Sequence, residues 1–356
     1  MQPLLQAGQL LVYWLVFGVL ALFAVIERPS ARDSKSPLPL LFGGLMLAIM
    51  IGLRFEVGGD WGSYQRMFAH AQYASFGETL AKGDPAYQLL NWVVQRVGAG
   101  LWLVNLVCGA IFSWGLVRFA RTQAGPWTIL LVAFPYLVIV VAMGYSRQGV
   151  AIGFLLAGIA ALLRGASIPR FAMFVIVGAL FHKTAIVVLL VVLISARRNL
   201  LVNLLFVLGL VGVLYDTLLS GSVDQLVGNY VNAEYNSQGA LIRVTMSVLP
   251  GALFLLARKK LAFAPDEDIL WRNFSYSAFI LAIFLAISSS STVVDRLALY
   301  VLPLQLAIIA RIPGYLVSSG SGRLFVLLYA LAIQFVWLNY AVHADYWLPY
   351  RIYPFA

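Results

Sequence analysis

Residues 38–64 read LPLLFGGLMLAIMIGLRFEVGGDWGSY, and the step from the first part of that stretch to the second decides the fold. Leu38 to Leu53 holds no charged residue. A run of this kind satisfies its backbone polar groups in lipid only as a helix. Within a dozen residues it is followed by Arg54, the pair Gly58-Gly59, Asp60, Trp61 and Tyr64. Charged groups are expensive at a membrane boundary unless they have a partner or a task. The glycine pair lets the backbone bend tightly where it leaves the bilayer, so Arg54 and Asp60 are expected to face one pocket. A plain polar connecting loop is the simpler reading of the same residues.

The rest of the chain repeats the apolar pattern. Of 356 residues, 62% are hydrophobic and only 11% charged, with a mean hydropathy of +0.90. This composition implies an all-α, polytopic integral membrane protein. Outer-membrane barrels are excluded, because their strands alternate rather than run apolar. Helices are expected near 9–26, 38–53, 101–117, 127–143, 149–163, 171–182, 183–195, 200–219, 241–257, 272–290, 297–312 and 324–342, or about 11–12 transmembrane segments. Residues 85–99 are expected to lie at the membrane surface, since Tyr87, Leu90, Val94 and Val97 share a face. The start is too polar, and lacks the basic residues, for a cleavable signal peptide, so Leu10–Ile26 is expected as a retained span. No linker or repeat interrupts 1–356, which reads as one multi-spanning domain whose outer segments 54–85 and 220–243 contribute to the site. The single cysteine, Cys108, excludes an intrachain disulfide and a cysteine-based metal site.

Charge sets the topology. The formal net charge of +10 comes without a basic run interleaved with aromatics or any nucleic-acid motif, so nucleic acid is not an expected partner. The positive-inside bias accounts for most of it. Arg164 and Arg170 precede His182, and Arg197 and Arg198 follow it. A short hairpin with His182-Lys183-Thr184 at its apex keeps both flanks cytoplasmic. Arg54, Arg66, Lys82, Arg96, Arg147, Lys183, Arg243, Arg296 and Arg351 then lie outside, a minority of the 24 basic residues.

Those outer cations run against the bias and invite a reason. Arg54, Arg147, Arg243 and Arg296 sit at span ends, level with His182 and Lys183. A lone interfacial arginine commonly snorkels as an anchor; several at one level suggest a cationic bowl. Guanidinium groups suit phosphate oxygens because they donate in planar pairs and keep their proton. Each has a distinctive neighbourhood: Tyr145-Ser146-Arg147-Gln148, Gly239 to Arg243, and Asp295-Arg296 with Tyr300 one turn on. Asp295 is also placed to neutralise Arg296. Asp60 is the leading candidate base, and His182 a second, since imidazole titrates near neutrality. His70, His182 and His343 are far apart and no DxD pair occurs, so no metal and no cofactor is expected. Phosphate would be held by side chains, because there is no phosphate loop, GxSxG or HExxH. Outer aromatics, among them Trp61, Tyr64, Tyr73, Tyr87, Tyr230, Tyr235, Trp347, Tyr350 and Tyr353, are candidates for stacking on sugars or for an interfacial belt.

Taken in order, these motifs resemble a known group. Arg54-Gly59-Asp60-Tyr64 after the second span, Arg147-Gln148 opening a helix, the hairpin holding His182, Asp295-Arg296 with Tyr300, and the ending Trp347-Leu348-Pro349-Tyr350 are similar to the EpsG family of bacterial exopolysaccharide proteins, which belong with the Wzy-type polymerases of exopolysaccharide, capsule and O-antigen. The resemblance implies an architecture like that of the lipid-dependent, GT-C-type glycosyltransferases. It implies joining of undecaprenyl-pyrophosphate-linked repeat units at the periplasmic face of the bacterial inner membrane, with a chain-length regulator and a flippase as candidate protein partners. Arg54, Arg147, Arg243 and Arg296 would carry the pyrophosphate with help from Lys183, and Asp60 would serve as base or orient the acceptor. A lipid-linked oligosaccharide ligase is the nearest alternative, but such ligases usually carry a larger late outer loop than 220–240. A flippase or transporter would place charges near the midplane, where 149–163 and 200–214 have none.

Overall fold

The computed structural model describes residues 2–27, 38–81, 83–193, 239–288, 291–315 and 318–355. The expected segment 200–219, the outer segment up to residue 238, and Tyr230 and Tyr235 lie outside the described residues. What is described is helical, and the protein is an all-α polytopic membrane protein. Among the described residues, five helices are long and apolar enough to cross a membrane, and five shorter apolar ones accompany them.

In chain order these elements are α1 (Gln2–Ile26), α2 (Leu38–Gly52), α3 (Trp61–Ala71), α4 (Phe76–Ala81), α5 (Pro85–Arg96), α6 (Leu101–Ala120), α7 (Pro126–Ala133), α8 (Ser146–Leu162), α9 (Ile168–Phe181) and α10 (Val188–Leu193). After the gap come α11 (Ala240–Leu261), α12 (Pro265–Ile287), α13 (Ser291–Ala298), α14 (Leu302–Ile309) and α15 (Ser319–Tyr340). α7 runs directly into a π-helical stretch, Phe134–Ala142. Every residue from Leu130 to Met143 is buried, so this segment is the axis of the bundle. The outer helices turn large apolar side chains away from the protein, including Leu22, Leu256, Ile280 and Leu328. In water that surface would be a liability; against lipid it is the matched face.

The expected spans within the described residues correspond closely to these helices. The helix expected over 85–99 appears as α5, buried through Tyr87, Asn91 and Val94, whereas Val97, expected on the same face, lies past its end and is 66% exposed. The segment 54–85, read as an outer loop, holds two further helices, α3 and α4. α9 ends at His182, whose extended backbone (φ −155°, ψ 104°) breaks the helix. A short 3-10 turn, Lys183–Val187, then leads into α10; the return of the expected hairpin lies largely outside the described residues.

Opposite ends of the bundle have different characters. At one, Arg311 reaches the Leu261 carbonyl (2.8 Å) and Glu267 (3.4 Å), Arg323 donates to the Val25 carbonyl (3.0 Å), and Glu27 accepts from the Trp127 amide (3.1 Å). At the other, the C-terminal segment folds back over the helix ends. Phe55 donates to the Arg351 carbonyl (2.9 Å), Tyr353 to that of Leu53 (2.8 Å) and Gly58 to that of Tyr346 (2.7 Å). Gly58 has φ +111°, and a Cβ there would collide with the Met143 carbonyl, so only glycine permits this turn. Trp347 plugs the same end. It is 1% exposed, donates Nε1–H to the Ile139 carbonyl of the π-helix (2.6 Å), and accepts at its own carbonyl from the Tyr13 hydroxyl (2.7 Å).

Trp347→Ala should cost about 3–5 kcal/mol by opening a cavity, whereas Trp347→Phe should cost about 1 kcal/mol for the lost hydrogen bond plus the smaller ring. Reversible unfolding in mixed micelles measures both; equal losses would show that the indole N–H, not the packing, holds the segment.

Candidate functional site

The closed end gathers charges from five separate elements. Asp84 caps the start of α5 in the sequence Gly83-Asp84-Pro85, but its carboxylate makes no hydrogen bond to its own helix. It is 3% exposed and turns toward α8 and α9. Its Oδ2 pairs with Arg147 Nη1 at 2.8 Å and lies 3.6 Å from His182 Nδ1, and its Oδ1 accepts from the Lys183 amide at 3.2 Å. Burial alone would raise the Asp84 carboxyl; His182, Arg147 and the Lys183 N–H together outweigh it and hold the group below the usual carboxylate range. Arg147 lies over the Tyr64 ring at 6.0 Å, and its Nε is buried without a hydrogen-bond partner. Burial pushes the Tyr64 hydroxyl up to about 12, so it stays protonated.

Asp60 stands beside this group and differs from Asp84 in exposure and in the direction of its pKa shift. It precedes α3 without capping it through its side chain. It is half-buried, within electrostatic range of Arg296, Arg147 and His182. Burial raises its carboxyl above the ordinary range, with Arg296, Arg147 and His182 pulling the other way. Arg296 stacks on Tyr145, 4.0 Å from the ring centre. Its carbonyl accepts from Gln148 Nε2 (2.8 Å), while its Nη1 reaches Gln148 Oε1 at 3.5 Å. Thr184 and the buried Tyr300 share a hydroxyl contact of 3.0 Å that joins the turn after His182 to the wall of the site. Thus Asp60, Tyr64, Arg147, Gln148, His182, Lys183, Arg296 and Tyr300 are brought together.

Other expected site residues are placed differently. Arg54 is 1% exposed and is not brought to Asp60. It donates to the Ile51 carbonyl, the Val57 carbonyl (3.1 Å), Asn105 Oδ1 (3.2 Å) and Ser146 Oγ (2.7 Å). Its charge therefore sits on the carbonyl end of α2, where cations are favoured, and its donors are engaged within the protein. Tyr350 donates to the Met50 carbonyl (2.8 Å) and packs edge-on against Tyr13, so it fastens the C-terminal segment rather than meeting a sugar. Tyr64, Tyr87 and Trp347 are likewise buried, which removes them as sugar platforms. Arg243 and Asp295 pair with each other in the interior, and Tyr136 lies within electrostatic range of both and of Arg296. The pair forms a wall of the site instead of presenting a guanidinium to it. Asp84 was missed, because Gly-Asp-Pro reads as an ordinary helix start and nothing local shows the carboxylate turning away.

A cleft of about 650 Å³ at the same end is lined by Arg54, Phe55, Trp61, Phe68, Trp102 and Tyr353. Trp102 and Tyr353 stack at 5.5 Å, nearly parallel at 7°. Tyr73, another expected platform, is 84% exposed and is not among the residues lining this cleft.

Residues 38–352 match the sequence profile of the EpsG family. The chain belongs to the EpsG family. The match begins at the first residue of α2 and ends at Ile352, which bridges to Arg54, so it takes in the whole clustered site of this EpsG-family protein. No curated protein and no solved structure matches the chain.

Because Asp84 is depressed below its unfolded value, its stabilising contribution is fully present above the unfolded carboxylate pKa, near 3.9, and fades as pH falls through the folded value. Asp84→Asn should therefore be less stable than the parent at pH 7, with the gap narrowing below about pH 4. Chemical unfolding at both pH values tests this; a gap independent of pH would mean the carboxylate is not held ionised by its neighbours.

Proposed function

We propose that this EpsG-family protein is a glycosyltransferase that polymerises undecaprenyl-pyrophosphate-linked oligosaccharide repeat units at the periplasmic face of the inner membrane. The observation that carries the reading is Asp60: a carboxylate with no side-chain capping bond to its helix, within electrostatic range of Arg296, Arg147 and His182, and next in sequence to Trp61 of the aromatic cleft. In the reaction, an acceptor sugar hydroxyl attacks the anomeric carbon of the donor glycan. The new C–O bond forms as the bond from that carbon to the pyrophosphate oxygen breaks. Asp60 takes the hydroxyl proton, and polyprenyl pyrophosphate leaves with the bonding pair. Arg147 and Arg296, with Lys183, offset the charge that builds on the leaving oxygen. His182, beside Asp84, is placed to position phosphate oxygens or relay a proton. The aromatic faces of Trp61, Trp102 and Tyr353 suit the apolar faces of sugar rings, so the acceptor glycan runs along that cleft. A flippase would deliver the substrates and a chain-length regulator would act on the product.

Two other readings compete. A lipid-linked oligosaccharide ligase would use the same pyrophosphate chemistry with a different acceptor. A flippase or transporter would use the arginines as a headgroup path and would have no need of a proton acceptor among them.

The deciding experiment uses purified protein in membranes with a polyprenyl-pyrophosphate-linked repeat unit, and resolves products by length with and without a chelator. A ladder that persists in chelator, vanishes in Arg147→Ala and slows about 10²–10⁴-fold in Asp60→Asn with donor binding intact supports polymerisation with general-base assistance. Since Asp60 must be ionised to accept a proton and its pKa is raised, the rate should climb with pH on the acid side, and Asp60→Asn should lose that limb. A donor that changes leaflet without elongating would overturn the polymerase reading.

A further inference from the structure

The C-terminal segment supplies part of the aromatic cleft. Ile352 bridges to Arg54, Phe55 donates to the Arg351 carbonyl (2.9 Å), and Tyr353 donates to the Leu53 carbonyl (2.8 Å). These backbone contacts lay the segment along residues 53–55 and bring the Tyr353 ring onto Trp102, in the first turn of α6. The two rings lie 5.5 Å apart and nearly parallel, at 7°, an offset stack. Phe55 and Trp61 meet edge to face at 5.9 Å, and with Phe68 they complete the aromatic lining. Gly98, Ala99 and Gly100 also line the cleft. A Cβ on Gly100 would press on the Trp102 ring at 2.9 Å, so this glycine lets the indole lie close against the chain.

Water reaches the rim of this cleft. Glu56, next to Phe55, pairs with Arg351 at 2.6 Å, and both side chains are nearly half exposed. An ion pair that open belongs in solvent rather than in hydrocarbon, so an acyl or isoprenoid chain would have to leave the bilayer to enter here. Charge does not select the occupant either. Among the described residues the lining holds no carboxylate. Its cation, Arg54, is 1% exposed, and each of its nitrogens already donates within the protein. Rigid aromatic faces in a wetted cleft suit a molecule with apolar C–H faces and hydroxyls around its edge. Gln65, exposed and part of the lining, adds an amide that both donates and accepts. The volume of about 650 Å³ falls within the range of about 300–1,000 Å³ that encloses a drug-sized ligand, enough for a short oligosaccharide.

We propose that this cleft is a glycan subsite that holds sugar rings by stacking, independently of any pyrophosphate, and that the C-terminal segment sets its specificity by carrying Tyr353 there. The inference rests on the glycosyltransferase reading for the glycan's place in the reaction, but binding in the cleft needs no transfer. Arg147, Lys183 and Arg296 are not among the residues lining it, so sugar and carrier are gripped by different side chains. An oligosaccharide without its lipid carrier therefore occupies the cleft on its own.

Purified protein in nanodiscs of deuterated lipid is mixed with carrier-free trisaccharides of glucose, galactose, mannose, rhamnose or N-acetylglucosamine. Saturation-transfer NMR then reads which sugar protons touch the protein. Transfer to the ring C–H protons of at least one of them is expected, and it should persist in high salt, because stacking is not screened. Tyr353→Ala and Trp102→Leu should each weaken binding about tenfold. Tyr353→Phe, which keeps the ring, and Arg147→Ala, outside the cleft, should retain it. In the elongation assay Tyr353→Ala should raise the acceptor KM more than it lowers kcat. Absence of transfer from every trisaccharide to the parent would overturn the proposal. So would transfer that survives both ring deletions, or that disappears in Arg147→Ala, which would place the sugar at the cation cluster. A signal present in amphipol but lost in lipid nanodiscs would give the cleft to an acyl chain and overturn it too. Transfer without any elongation would support the subsite and count against the polymerase reading; a product ladder without transfer would do the reverse.

Discussion

The site depends on one buried carboxylate. Asp84 is nearly removed from solvent, and an isolated charge in that position would be driven to neutralise. It remains ionised because Arg147, His182 and the Lys183 N–H reach it from α8 and from the turn after α9. The same contacts dock α5, and with it the cap formed by α3 to α5, onto two membrane helices. Breaking such a pair by removing one member leaves the other charge stranded, at a typical cost of about 3–5 kcal/mol. The cap's seating and the orientation of Arg147 are therefore one constraint.

The arginines at this end divide by what their donors meet. Arg54 spends its hydrogen bonds on carbonyls and neutral side chains inside the protein, and this fixes the bend between α2 and α3 against α6 and α8. Arg243 is matched by Asp295 in the interior. Arg147 pairs with Asp84 at Nη1, its unpartnered Nε is buried, and its side chain remains 26% exposed, which sets it apart from the enclosed Arg54 and Arg243.

Much of this was legible in the chain. Long apolar runs can be satisfied only as helices in lipid, so the spans followed from composition, and the shared level of Arg54, Arg147 and Arg296 followed from where those runs stop. The amphipathic pattern of 85–99 located α5. Three things were not legible. The π-helical turn at Phe134–Ala142 is as apolar as its neighbours, and only the register of its hydrogen bonds sets it apart. Arg54 and Arg147 look alike in sequence, both being arginines at span ends, and differ only in which distant groups the fold brings to them: Asn105 and Ser146 in one case, Asp84 in the other. Asp84 itself was hidden by a local signal that was correct for its backbone and silent about its side chain.

The two carboxylates show why the distinction matters for chemistry. Asp84 and Asp60 lie near the same two side chains, Arg147 and His182. Direct contacts hold the first below its ordinary pKa, while burial without hydrogen bonds raises the second. Environments that push two acids in opposite directions separate their roles. A depressed carboxylate is a poor proton acceptor and a durable counter-charge, suited to holding Arg147 in place through a reaction. A raised one gains more by accepting a proton, and having no hydrogen bond to give up, it can do so without unseating the cap. In the proposed transfer, the guanidinium that Asp84 anchors would stay in place as negative charge develops on the leaving group, and Asp60 would be the group whose charge changes.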